Sequence, residues 1–180
     1  LPPLHHIAAP DEAIPGWNLL DLGMPEPADF RLGQVQSACG NLAVQAVEWA
    51  AKRCLNGELA AMVTAPINKE AIHAAGYVND IGHQEILARL AGVSQTATML
   101  MTPGLRVVHL STHKSLAKAV EFVTAAQVLG KLHLIHDTLT QWGLARPRIA
   151  VAALNPHGGE GGLLGREEIE ELTPAVASAR

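Results

Sequence analysis

The chain has 180 residues, of which 48% are hydrophobic and 17% charged, a composition that excludes a disordered segment and suits one domain or a two-lobed unit. Its 17 acidic and 13 basic residues leave a net charge of −4, with only six aromatics. It therefore lacks the basic footprint and stacking residues of a nucleic-acid binder. No window reaches 18 uninterrupted apolar residues, so no membrane-spanning helix is expected. The first residues, Leu1-Pro2-Pro3-Leu4-His5-His6, carry neither a signal peptide nor an initiator Met, and the chain reads as a piece of something longer.

Residues 1–33 hold more than half of the 11 prolines and read as an irregular N-terminal segment around one short strand at 17–22. An α/β domain is expected over 34–180. It opens with an amphipathic helix in which Val35, Ala38, Leu42, Ala46 and Trp49 recur at steps of three and four, ending near Asn56-Gly57. Cys39 and Cys54 fall in this helix about 22 Å apart, too far for a disulfide, and read as core thiols in a reducing cytoplasm. An apolar strand is expected at 59–64. Helices follow at 67–75, stopped by Gly76, and at 83–91, stopped by Gly92. Apolar runs at 96–101 and 105–110 flank the turn Thr102-Pro103-Gly104. Helices at 116–122 and 125–142 come next, with Thr124 a candidate cap for the second. A strand at 148–154, a Gly-rich loop at 155–165 and a helix from 166 to 177 complete the chain. Glu167 and Glu168 fall in the first turn of that helix, where they suit its dipole.

Strands alternating with helices define an α/β class with a largely parallel sheet flanked by helices. Ligands bind such sheets beyond the carboxyl ends of the strands. Three segments begin there: Thr64-Ala65-Pro66, Ser111-Thr112-His113 and Asn155-Pro156-His157. His113 and His157 are the candidate metal ligands, since neutral imidazole is the commonest side-chain ligand of zinc and related cations. Two histidines do not close a site, and the competing reading is two loop histidines bonded to water or backbone.

His83 sits in Asp80-Ile81-Gly82-His83-Gln84-Glu85, in the first turn of a helix whose free N–H groups favour a phosphate or carboxylate. The alternative is a capping turn closed by Glu85. Lys69 offers a positive charge to an anionic ligand or is simply solvated. His133 and His136 share a helix face that is a metal site or, more simply, wet. Gly158-Gly159-Glu160-Gly161-Gly162 lacks both the dinucleotide and the P-loop patterns. Its glycines instead permit positive φ and close backbone approach beside His157.

Four motifs occur in order: Val63-Thr64-Ala65-Pro66-Ile67-Asn68-Lys69-Glu70, Gly82-His83-Gln84-Glu85, Ser111-Thr112-His113, and Leu154-Asn155-Pro156-His157 through Gly162 with Gly165-Arg166-Glu167-Glu168. Between about residues 35 and 174 the chain resembles the 4-hydroxythreonine-4-phosphate dehydrogenase family of vitamin B6 biosynthesis. Related dehydrogenases act on phosphothreonate, phosphoerythronate or a terephthalate dihydrodiol. The resemblance implies an isocitrate/isopropylmalate-dehydrogenase-like fold, here a partial one, and a cytoplasmic homodimer with sites at the subunit interface. It implies NAD and a divalent metal, with zinc expected ahead of magnesium or cobalt. The reaction implied is oxidation of the secondary alcohol of a small phosphorylated hydroxy acid, followed by decarboxylation of the β-keto acid. Carried over motif by motif, His113 and His157 are metal ligands and His83 and Gln84 contact substrate. No catalytic acid or base and no NAD contact can be assigned. The family has Thr where Gln84 stands, which leaves the choice of acid open. Members also start earlier and continue past residue 180 to a third metal-ligating His, so a silent binding or dimerisation module is the competing expectation.

Overall fold

The computed structural model describes residues 3–180. Leu1 and Pro2, which open the proline-rich segment, lie outside the described residues. The chain forms two compact units, one running to Thr96 and the other spanning Ala97–Arg180.

In the first unit, β1 (Leu4–Ile7) pairs in parallel with β2 (Trp17–Leu20), placing Leu4 opposite Trp17 and Ile7 opposite Leu20. A 3-10 turn at Pro10–Glu12 lies between them. Helix α1 (Ser37–Leu55) packs against α2 (Lys69–Ala74) and α3 (His83–Ala91). Their shared core is Val44, Val47, Ile72 and Ile86. The stripe that α1 buries is Gly40, Val44, Val47 and Ala51, roughly opposite the face marked by Val35, Leu42 and Trp49 at 3.6 residues per turn. Gly40 decides this. A Cβ there would collide with the Ala71 carbonyl, so only glycine lets the α2 backbone come so close. Local signals set both short helices. The Asn68 side chain caps α2 by accepting from the Ala71 N–H at 2.9 Å, and Gly92 ends α3 in the left-handed conformation, φ 65°.

In the second unit, β3 (Met99–Thr102) and β4 (Leu105–Val108) form an antiparallel hairpin. Helix α4 (Leu116–Phe122) is capped by Ser115, and α5 (Ala125–Gln141) by Thr124, whose side chain accepts from the Gln127 N–H. After a left-handed turn at Pro156–Gly162 comes a π turn at Glu168–Leu172, then α6 (Thr173–Ser178). Helices α5 and α6 and the π turn enclose the core of Val128, Leu132, Leu172 and Ala175.

The expected strands at 59–64 and 148–154 form no ladder among the described residues; both runs are largely exposed, Val63 almost completely. A strand exists only when another segment receives its N–H and C=O groups, and apolar sequence cannot supply that partner. The chain is α/β, and among the described residues its strands form one parallel and one antiparallel ladder in place of a continuous sheet. No helix is long and apolar enough to cross a membrane among the described residues.

Candidate functional site

His113 and His157 share the second unit and an uncommon backbone. Among the described residues, the non-glycine residues with positive φ are His113 (53°), His157 (52°) and Glu160 (46°). This left-handed region costs an L-residue roughly 1–2 kcal/mol, although His tolerates it better than most. Both imidazoles belong to exposed residues. His113 lies between the hairpin and the Ser115 cap of α4, and Lys114 beside it lays its ammonium 4.6 Å from the Phe122 ring centroid.

His157 opens a run of five left-handed residues that continues through Gly158, Gly159, Glu160 and Gly161. The glycines supply positive φ and room, as their spacing implied. Gly159 is buried, and a Cβ on it would lie 2.9 Å from both Glu168 Oε2 and the Gly165 carbonyl.

Glu167 and Glu168 turn back onto the entry to this run. Glu168 Oε1 accepts from the Leu154 N–H at 2.8 Å and the Asn155 N–H at 2.6 Å. The Asn155 amide donates to Glu168 Oε2 at 2.9 Å and to Glu167 Oε2 at 2.7 Å. These bonds hold both carboxyl groups below the usual glutamate range. For Glu168 the Asn155 side-chain amide contributes most; for Glu167 it is the residue's own N–H, then the Asn155 amide. Sequence reasoning placed these two glutamates in a helical first turn and missed this role. The signal lay in their pairing with Asn155, 12 and 13 residues away, which no local pattern encodes.

In the first unit, His83 begins α3 and its Nε2 is buried with no hydrogen-bond partner among the described residues. Such atoms are rare in folded proteins and need an explanation. Lys69 approaches the same helix start: a Cβ built on Gly82 would be 3.8 Å from Lys69 Cε and 3.6 Å from Glu85 Oε2. The Gln84 amide donates to the Thr96 hydroxyl at 2.8 Å, so its larger side chain is anchored within the unit. His133 and His136 are exposed on α5, and His136 sits 3.2 Å from its neighbour Asp137, which fits a wet helix face.

The donor type of His113 and His157 fits a zinc-like cation. Among the described residues no group of three or more His, Cys, Asp or Glu is placed to hold one, so these two imidazoles would supply part of a coordination shell.

A family model described as "Pyridoxal phosphate biosynthetic protein PdxA" matches residues 4–180, and the chain belongs to that family. It is 41% identical over 163 residues to D-threonate 4-phosphate dehydrogenase of Salmonella typhimurium, covering 91% of this chain and 50% of the relative. It is 42% identical over 167 residues to 4-hydroxythreonine-4-phosphate dehydrogenase of Geobacter metallireducens, covering 93% and 48%. The crystal structure of 4-hydroxythreonine-4-phosphate dehydrogenase from Klebsiella pneumoniae superposes with a TM-score of 0.87 at 39% identity, covering 97% of this chain and 54% of that one. The chain thus spans about half the length of the relatives it matches.

Proposed function

We propose that the protein is an NAD- and divalent-metal-dependent dehydrogenase that oxidises the secondary alcohol of a small hydroxy acid carrying a terminal phosphate. The observation that carries this reading is the shared left-handed backbone of His113 and His157 in a chain of this family. Strain of that kind persists where a side chain must point in one direction. In this reading His113 and His157 hold the cation, zinc first, through neutral imidazoles.

When bound, a divalent cation supplies Lewis-acid charge and NAD supplies a hydride acceptor. The family resemblance implies that His83 contacts substrate. It gives the same role to Gln84, which is held by Thr96. Oxidation removes a hydride from the alcohol carbon and a proton from its oxygen, leaving a ketone β to the carboxylate that then loses carbon dioxide. The working form is a cytoplasmic homodimer, as the family resemblance implies. The names of the relatives point to two acids, 4-phosphohydroxythreonine and D-threonate 4-phosphate.

The test is NADH formation by the full-length natural protein with each acid. The reading expects turnover of one of them, abolished by chelation and by His113→Ala or His157→Ala. Full activity in either variant removes the metal assignment. Binding of an acid without oxidation favours a silent binding module.

A further inference from the structure

We propose that Glu168 is a positioning residue for His157, an inference that rests on the reading of His157 as a metal ligand. Five consecutive left-handed residues from His157 to Gly161 do not sustain themselves, because the two that are not glycine disfavour that backbone. The surroundings must over-determine it, and one carboxylate does so from both sides. Upstream, Glu168 Oε1 takes both N–H groups before Pro156, those of Leu154 and Asn155. Its Oε2 takes the Asn155 side-chain amide. Downstream, the same Oε2 lies 2.9 Å from the position a Gly159 Cβ would take, beside the Gly165 carbonyl at the same distance.

His157 is thus bracketed two residues before and two residues after by a single side chain. Pro156 between them has its φ fixed by its ring, and the Gly158 N–H closes onto the Asn155 carbonyl at 3.1 Å. The π turn at Glu168–Leu172 starts at the residue that makes these bonds, and π turns are frequent at functional sites. Glu168 bonds the chain just before His157 and lies beside Gly159 just after it, and so fixes where the imidazole stands.

The experiment is a zinc titration followed by imidazole 15N NMR of His157 in the natural protein and in Glu168→Ala and Glu168→Gln, with His157→Ala as control. Groups that orient a metal ligand typically cost about 10–100-fold in affinity when removed. Glu168→Ala is therefore expected to weaken zinc binding by about tenfold or more and to shift the His157 resonances before zinc is added. Glu168→Gln keeps an acceptor for both backbone N–H groups and recovers most of the affinity. Wild-type affinity and unmoved resonances in Glu168→Ala, with binding lost in His157→Ala, overturn the positioning role and leave the metal reading intact. Wild-type zinc binding in His157→Ala overturns the metal reading and this inference with it. Should Glu168→Ala fail to fold, Glu168→Asp is read in its place with the same outcomes, since it keeps the charge but withdraws the oxygens by one methylene.

Discussion

His113 and His157 adopt nearly the same backbone torsion, φ 53° and 52°, although 44 positions separate them. A glycine would occupy that region without the steric cost that a Cβ carries. Replacing either histidine by Gly should therefore give a protein more stable than the Ala variant at the same position, by about 1 kcal/mol. Chemical denaturation of the two pairs checks this. Equal stability of Gly and Ala variants would mean that the backbone is not strained.

Neighbouring glycines in the His157 turn should respond differently. Gly158→Ala meets only the cost of positive φ, because nothing lies within 4 Å of its Cβ position, and should lose about 1 kcal/mol. Gly159→Ala adds a collision with Glu168 Oε2 and the Gly165 carbonyl and should lose clearly more, about 2–4 kcal/mol. Denaturation midpoints at unchanged m-value give the comparison.

Asp80 is buried and its carboxylate is held by Arg89 at 2.7 Å, while Arg89 also reaches Glu48 of α1 at 2.8 Å. The Arg89 guanidinium is accordingly even harder to deprotonate than usual, chiefly through Asp80. The two partners are not equivalent. Arg89→Ala strands a buried carboxylate and should cost about 3 kcal/mol. Asp80→Asn leaves a half-exposed guanidinium still paired with Glu48 and should cost about 1 kcal/mol. Thermal unfolding of both variants tests the order, and a larger loss in Asp80→Asn would reverse it.

Acid should loosen the entry to the His157 turn. The Glu167 and Glu168 carboxyls are held below their ordinary value of 4.5. A depressed folded pKa means that the bonds contribute fully above the unfolded value and are lost as the pH falls through the folded one. The Leu154 and Asn155 amide resonances should therefore stay constant near neutrality and move only below about pH 4.5. In Glu168→Ala that movement should vanish. An unchanged titration in the variant would assign it to another group.

Much of the helical chain was legible because its signals are local. The ends of α3 follow from the first-turn residues after Gly82 and from Gly92 in the left-handed conformation. The hairpin follows from two apolar runs around Pro103-Gly104, and Thr124 caps α5 as its hydroxyl allows. What escaped depends on partners distant in sequence. The buried face of α1 is chosen by the approach of Ala71 to Gly40, which periodicity on a helix with small apolar residues on both sides cannot reveal. The runs at 59–64 and 148–154 are apolar enough for strands, but pairing is a property of two segments. At the candidate site, His157 and its glycines were readable from the motif. The carboxylate that brackets them comes from a turn that reads as an ordinary helix start.

The most direct measurement of the central claim is metal content. The natural protein, stripped with chelator and dialysed against zinc, should retain one ion per chain, and His113→Ala and His157→Ala should each retain less than a tenth of that under the same conditions (about 1.4 kcal/mol or more of lost binding). Undiminished zinc in both variants, with the fold intact by circular dichroism, would contradict the assignment of these two histidines and the dehydrogenase chemistry built on them.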